Sequence, residues 1–222
     1  MKRLALTGIA ILGVAQAVLG QGSINLDNSG GAFNFGVAIN TPGNYYGGTY
    51  GLEVWELSGA SSVPAGINLP PAPSSGLEAY NTMVKDGFDL QTTFVDKIMP
   101  ANSGALILGQ VNMPDVTPAG STVVLALAAW NNSARSWTEM LNGAYVNPCA
   151  GVVAFLNPTT DYFFNPPRIP ASITGWNSVG DLVMTSLVPE PGTFALSGLG
   201  VTLLLIFRKP RRAKAWFPEA RA

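Results

Sequence analysis

A chain of 222 residues with 12 Lys/Arg, 13 Asp/Glu, no histidine and one cysteine has enough length for one domain with a proper core. The missing histidine excludes a His-dependent catalytic triad and His-ligated zinc, and the lone Cys149 excludes an intramolecular disulfide. The near-neutral total averages unlike pieces: residues 21–187 carry eleven acidic and four basic side chains, a balance near −7, which excludes the basic footprint that nucleic acid requires.

The chain opens with MKRLALTGIAILGVAQAVLGQGS. Lys2 and Arg3 precede an apolar run from Leu4 to Val14, and Ala15-Gln16-Ala17 supplies a small-residue cleavage site, so residues 1–20 read as a secretory signal peptide. GSINLDNSGGAFNFGVAIN then alternates apolar and polar residues around a Gly-Gly turn, which predicts a strand, a turn and a second strand. GTYGLEVWELSG predicts another strand. Ser58 to Leu77, rich in Pro, Ser, Ala and Gly, predicts a surface loop without helix, followed by one helical turn near Glu78 to Val84.

Gly104 to Val111 (GALILGQV) and Ser121 to Trp130 (STVVLALAAW) are the strongest strand signals. The second is apolar on both faces, which predicts a central strand covered on both sides, and the NMPDVTPAG stretch between them predicts a hairpin connection. GVVAF and GDLVMTSL predict later strands, separated by a Pro-rich stretch, NPTTDYFFNPPRIPASITGW, that predicts no regular structure. Residues 21–187 are therefore expected to form an all-β domain, an antiparallel β-sandwich of jelly-roll or Ig-like type.

The chain closes with LVPEPGTFALSGLGVTLLLIFRKPRRAKA and a short extension. Thr193 to Phe207 is fifteen residues without a charge. As a helix it is roughly 22 Å long, against a hydrocarbon core of about 30 Å, so it predicts a short transmembrane helix acting as a transient stop. Arg208, Lys209, Arg211 and Arg212 follow as stop charges and place the tail, with the 213–222 extension, on the cytoplasmic side. Pro189-Glu190-Pro191, the apolar run and the basic run, in that order over residues 188–212, resemble the PEP-CTERM sorting signal of exported bacterial proteins. The two prolines keep this stretch extended outside the membrane. The chain departs from the family pattern in Gly192, where Ser or Thr is usual, and in continuing to Ala222. QGSINLDN, YGLEVW, VTPAGSTVVLALAAW and GDLVMTSLVPEP resemble the layout of other exported proteins with this tail. The resemblance implies an exosortase and the secretion machinery as partners. It also implies passage through the inner membrane, transient anchoring, trimming near the motif, and delivery to the cell surface or exopolysaccharide matrix.

Within the body, Glu53 and Glu56 are the nearest carboxylate pair, but three residues apart on a strand they fall on opposite faces, so they read as solvated strand carboxylates and no catalytic residue is expected. Asp27 with Asn28, and Asp86, Asp89 and Asp96, offer oxygens to calcium but lack the spacing of a calcium loop, so no metal site or cofactor is expected. Cys149 reads as a small, partly buried residue beside a turn. Trp55 and Trp130 read as core, whereas Tyr45, Tyr46 and Trp137 are candidate sugar-binding residues, the tyrosines of NTPGNYYGGTYG having no evident core to join. The expected protein is non-enzymatic and structural or interacting; the alternative is a carbohydrate-binding module for exopolysaccharide.

Overall fold

Strand β6 (Thr122–Trp130) has eight consecutive buried residues, Val123 to Trp130, and this run fixes the architecture around it. In the computed structural model, which describes residues 22–29, 35–113, 120–161 and 168–187, the chain is mainly β with two sheets. The expected signal peptide, the sorting motif Pro189, Glu190 and Pro191, the apolar run 193–207 and the stop charges Arg208, Lys209, Arg211 and Arg212 lie outside the described residues. Among the described residues no helix is long and apolar enough to cross a membrane.

The larger sheet contains β2 (Val37–Ile39), β10 (Leu182–Ser186), β7 (Cys149–Pro158), β6, β3 (Gly48–Leu57) and β4 (Asp89–Met99), in that spatial order. The smaller sheet joins β5 (Ile107–Met113) to β1 (Gly22–Asp27), with two-residue strands β8 (Thr160–Asp161) and β9 (Ala171–Ser172) also pairing with β1. Alternation sorts the side chains. Val123, Leu125, Leu127 and Ala129 of β6 share the main core with Ile24 and Leu26 of β1 and Val111 of β5, so the two sheets enclose one core. The opposite face of β6, with Val124, Ala126, Ala128 and Trp130, lies under two helices, α1 (Ser75–Lys85) and α2 (Trp137–Asn142). Covering on both sides is what the apolar sequence of β6 demands.

Helix α1 buries Gly76, Ala79 and Met83, a single stripe at helical spacing, and is stopped beyond its Asp86 cap by Gly87, whose φ of 82° suits only glycine well. Its first turns press so closely on β7 that a Cβ at Gly76 would meet the Ala150 carbonyl oxygen. Helix α2 is announced by Ser136-Trp137-Thr138-Glu139: the Ser136 hydroxyl accepts from Glu139 N at 3.1 Å, and the Glu139 carboxylate accepts from Arg135 N at 3.0 Å.

Several expectations need correction. β1 and β2 do not form a hairpin, because β1 pairs with β5 while β2 runs parallel to β10. β5 and β6 likewise belong to different sheets, so they do not form a hairpin. The sheets are not purely antiparallel, since β1 with β9 is also a parallel pair. The Pro-rich stretch contains β8, β9 and a 3-10 helix (Thr174–Ser178) whose Trp176 is fully buried and stacks on Phe155. Helix α2 and the eleven-residue β4 were not expected.

Candidate functional site

Glu53 lies on the face of β3 turned towards the helices and is 2% exposed, not solvated. Its Oε1 accepts from the backbone N–H of Trp137 at 3.0 Å, and its Oε2 accepts from Trp55 Nε1 at 3.1 Å and from the Tyr80 hydroxyl at 3.4 Å. Tyr80 stacks on Trp137 with ring centroids 4.4 Å apart, and Trp55 meets Tyr80 edge-on at 5.8 Å. One carboxylate thus fastens both helices to the sheet. Burial holds the Glu53 carboxyl above the usual range, against the opposing pull of its three hydrogen bonds, and burial together with the neighbouring Glu53 charge holds the Tyr80 phenol high. Both carboxylate oxygens are engaged within the fold, which makes this a structural knot.

Glu56 is also buried, but its partner in β6 is Leu125, on the core side, whereas Glu53 pairs with Ala128 on the helix side. The two carboxyls therefore face away from each other, as strand geometry requires. The Glu56 Oε1 accepts from the Ser58 hydroxyl at 3.3 Å.

The aromatic candidates separate. Trp137 is 0% exposed, so its ring is core and offers no platform to a sugar. Tyr45 and Tyr46 are half-buried: the backbone of Tyr45 bridges to Ala38, while Tyr46 does have a core to join, packing against the main core and donating its hydroxyl to Thr49 O at 2.8 Å. Trp130 is core as expected, and Trp55 is partly covered. Cys149 is buried, its thiol pushed up by desolvation, with Sγ 3.6 Å from Asn147 O. Asp27 instead caps Ser29, accepting from its N–H at 2.8 Å, and Asn28 is buried, donating to Phe35 O. Asp86, Asp89 and Asp96 are strung from the end of α1 along β4; among the described residues no three His, Cys, Asp or Glu side chains gather to hold a metal.

The open site lies elsewhere. β7 and β10 pair only through Ala150 with Thr185 and Cys149 with Ser186, after which β10 is followed back along β2 and the two strands fork. The fork holds a cleft of about 240 Å³. Val152 and Val153 of β7 and Val183 of β10 line it, with Ile67 and Leu69 from the 58–74 loop and Ala79 from α1. No protein-family model, curated protein or solved structure matches this chain. The cleft must be read from its own chemistry.

Its polar groups are held in place by the fold. Asp181 accepts from Gly36 N at 2.9 Å through Oδ1 and from Gly43 N at 2.7 Å through Oδ2, pinning the start of β2 and the turn after it to the mouth of β10. The Asn68 amide donates to Ala154 O and accepts from Ala154 N, both at 2.8 Å, as a neighbouring strand would. Ser75 Oγ lies 3.3 Å from Thr185 Oγ1. Sequence reasoning missed all of these. The only local signal was an apolar Ile67 and Leu69 flanking Asn68 within an otherwise turn-rich stretch.

Asn68 also protects an open edge, because β7 beyond Gly151 has no β10 partner to satisfy its backbone. Asn68→Ala is expected to lower stability by about 1–3 kcal/mol by leaving the Ala154 groups unmatched. Chemical denaturation measures the loss, and amide exchange should show faster exchange at Ala154 than at Leu127 in β6.

Proposed function

We propose that this chain is an exported protein carrying a PEP-CTERM sorting signal, trimmed by an exosortase and delivered to the cell surface or exopolysaccharide matrix as a non-enzymatic structural or interaction protein. The observation that carries the reading is the order of the tail: Pro189-Glu190-Pro191, the uncharged run 193–207, then Arg208, Lys209, Arg211 and Arg212, paired with a signal-peptide pattern over residues 1–20. The body, read as a jelly-roll or Ig-like sandwich, suits a binding or structural role because its buried carboxyls, Glu53 and Glu56, face opposite sides of β3. Leu187 N still donates to Pro148 O at 3.1 Å, so Val188 and the motif follow immediately on residues that belong to the folded body. In this reading the membrane holds the protein only until trimming.

Intact-mass measurement of membrane and extracellular fractions from the native host tests this reading. The expected extracellular species begins near Val18 or Gln21 and ends near Pro189 to Pro191, and Glu190→Ala is expected to remove it and accumulate the membrane form. A chain that still ends at Ala222 and stays in the membrane would make the 193–207 segment a permanent anchor and sink the sorting reading.

A second reading, a carbohydrate-binding module for exopolysaccharide, rests on the cleft between β7 and β10, since Trp137 is buried and Tyr46 packs into the core.

A further inference from the structure

We infer that the cleft in the β7/β10 fork is a binding site for one neutral hexose residue of a polysaccharide chain. The inference deepens the carbohydrate-binding reading and rests on it, but it is independent of how the tail is processed. At about 240 Å³ the cleft falls below the roughly 300–1,000 Å³ of sites for drug-sized molecules, so it suits a single ring. Pro42, Pro71 and Gly180 at its border are exposed, which leaves room for the neighbouring residues of a longer chain.

The lining chooses among ligands. Among the described residues Asp181 is the single charged side chain that borders the cleft, with no Lys or Arg beside it. A uronate or phosphate would meet a like charge with nothing to offset it. An acyl chain would cover Asp181, Asn68 and Ser75 without replacing the water bonds they lose. An extended peptide that adds a strand to β7 needs the Ala154 N–H and C=O, and Asn68 already holds both. A neutral sugar ring answers every feature. Its C–H face packs against Val152, Val183 and Leu69, and its hydroxyls donate to the remaining lone pairs of the Asp181 carboxylate and accept from the second Asn68 amide hydrogen. These groups are already oriented by Gly36, Gly43 and Ala154, so binding costs little ordering.

The test uses the full-length chain in a detergent without a sugar headgroup. Neutral glucan, galactan and mannan oligosaccharides, a uronate oligosaccharide and an alternating Val-Thr hexapeptide are titrated by calorimetry, and the bound region is mapped by hydrogen–deuterium exchange. A neutral glycan is expected to bind with a dissociation constant of roughly 1 mM. It should protect residues 67–76 and 179–184, and the uronate should bind more weakly. Val183→Phe, which fills the cleft, and Leu69→Ala, which removes part of its wall, are each expected to weaken binding roughly tenfold. Thermal melts establish that both variants fold, and if one fails to fold the other decides. Protection confined to residues 40–50 would leave the carbohydrate reading standing and remove the cleft from it. Equal binding of the uronate, binding of the peptide in place of the glycans, undiminished binding by the folded variants, or no binding to any neutral glycan would overturn the inference.

Discussion

Glu53→Ala is expected to lower the unfolding free energy by about 3–5 kcal/mol, with a fall in Tm of roughly 10 °C. The substitution orphans three donors at once: Trp137 N, Trp55 Nε1 and the Tyr80 hydroxyl. Two of these sit where α1 and α2 meet the sheet, so the loss should appear as loosening of both helices and not as a cavity alone. Glu53→Gln keeps an acceptor for Trp137 N and should cost less. It also isolates the effect of charge. Burial raises the Glu53 carboxyl above its ordinary value of 4.5, so the folded state binds the proton more tightly than the unfolded chain does. The associated stability is fully present below about pH 4.5 and is lost as pH rises through the elevated folded value. Wild-type protein should therefore lose stability as pH rises above about 4.5, and Glu53→Gln should flatten that slope. Asp27 has the opposite sign. The Ser29 hydroxyl and N–H hold its carboxyl low, so its contribution is lost only as pH falls below its ordinary value of 3.8. Denaturant titrations at pH 5 and above thus report Glu53 without that interference, and an equal slope in wild type and Glu53→Gln would refute the assignment.

The all-β class was legible because β1, β3, β6, β7 and β10 carry local signals: alternation where one face is covered, and a continuous apolar run in β6 where both are. Strand β4 escaped notice because its sequence, Asp89 to Met99, is polar and carries two register shifts against β3, which break the alternation that would reveal it. Helix α2 had a readable start, since Ser136 and Glu139 have capping-box spacing, but its six residues are too few to show periodicity. Glu53 looked like a surface carboxylate because nothing near it in sequence foretells that Trp137, 84 residues away, supplies a backbone donor. The cleft is hidden for the same reason. Asn68 and Asp181 acquire meaning only from Ala154, Gly36 and Gly43, and these contacts are products of topology.

Gly51→Ala is expected to cost about 4 kcal/mol, more than any ordinary glycine-to-alanine change in a strand, for a reason that lies across the sheet. Gly51 pairs directly with Trp130 in β6, and a Cβ at position 51 would fall within the Trp130 indole. The ring has no easy retreat. It is 0% exposed, its Nε1 donates to Ala134 O at 3.0 Å, and it meets Trp137 edge-on at 6.4 Å. Displacing it breaks the bond that closes the turn after β6 and disturbs Trp137, which stacks on Tyr80 and whose N–H is held by Glu53. Chemical denaturation with near-ultraviolet circular dichroism should record the lost stability together with a changed tryptophan environment. Gly59→Ala supplies the contrast, because Gly59 has φ of 72° and open space around it. Backbone strain alone should cost that variant about 1–2 kcal/mol and leave the tryptophan signal intact. The decisive comparison is made in a Trp130→Ala background. With the indole gone, Gly51→Ala should be neutral or stabilising, since alanine loses less chain entropy than glycine in a strand. A cost that persists there would place the strain in the β3 backbone and not in the tryptophan packed upon it.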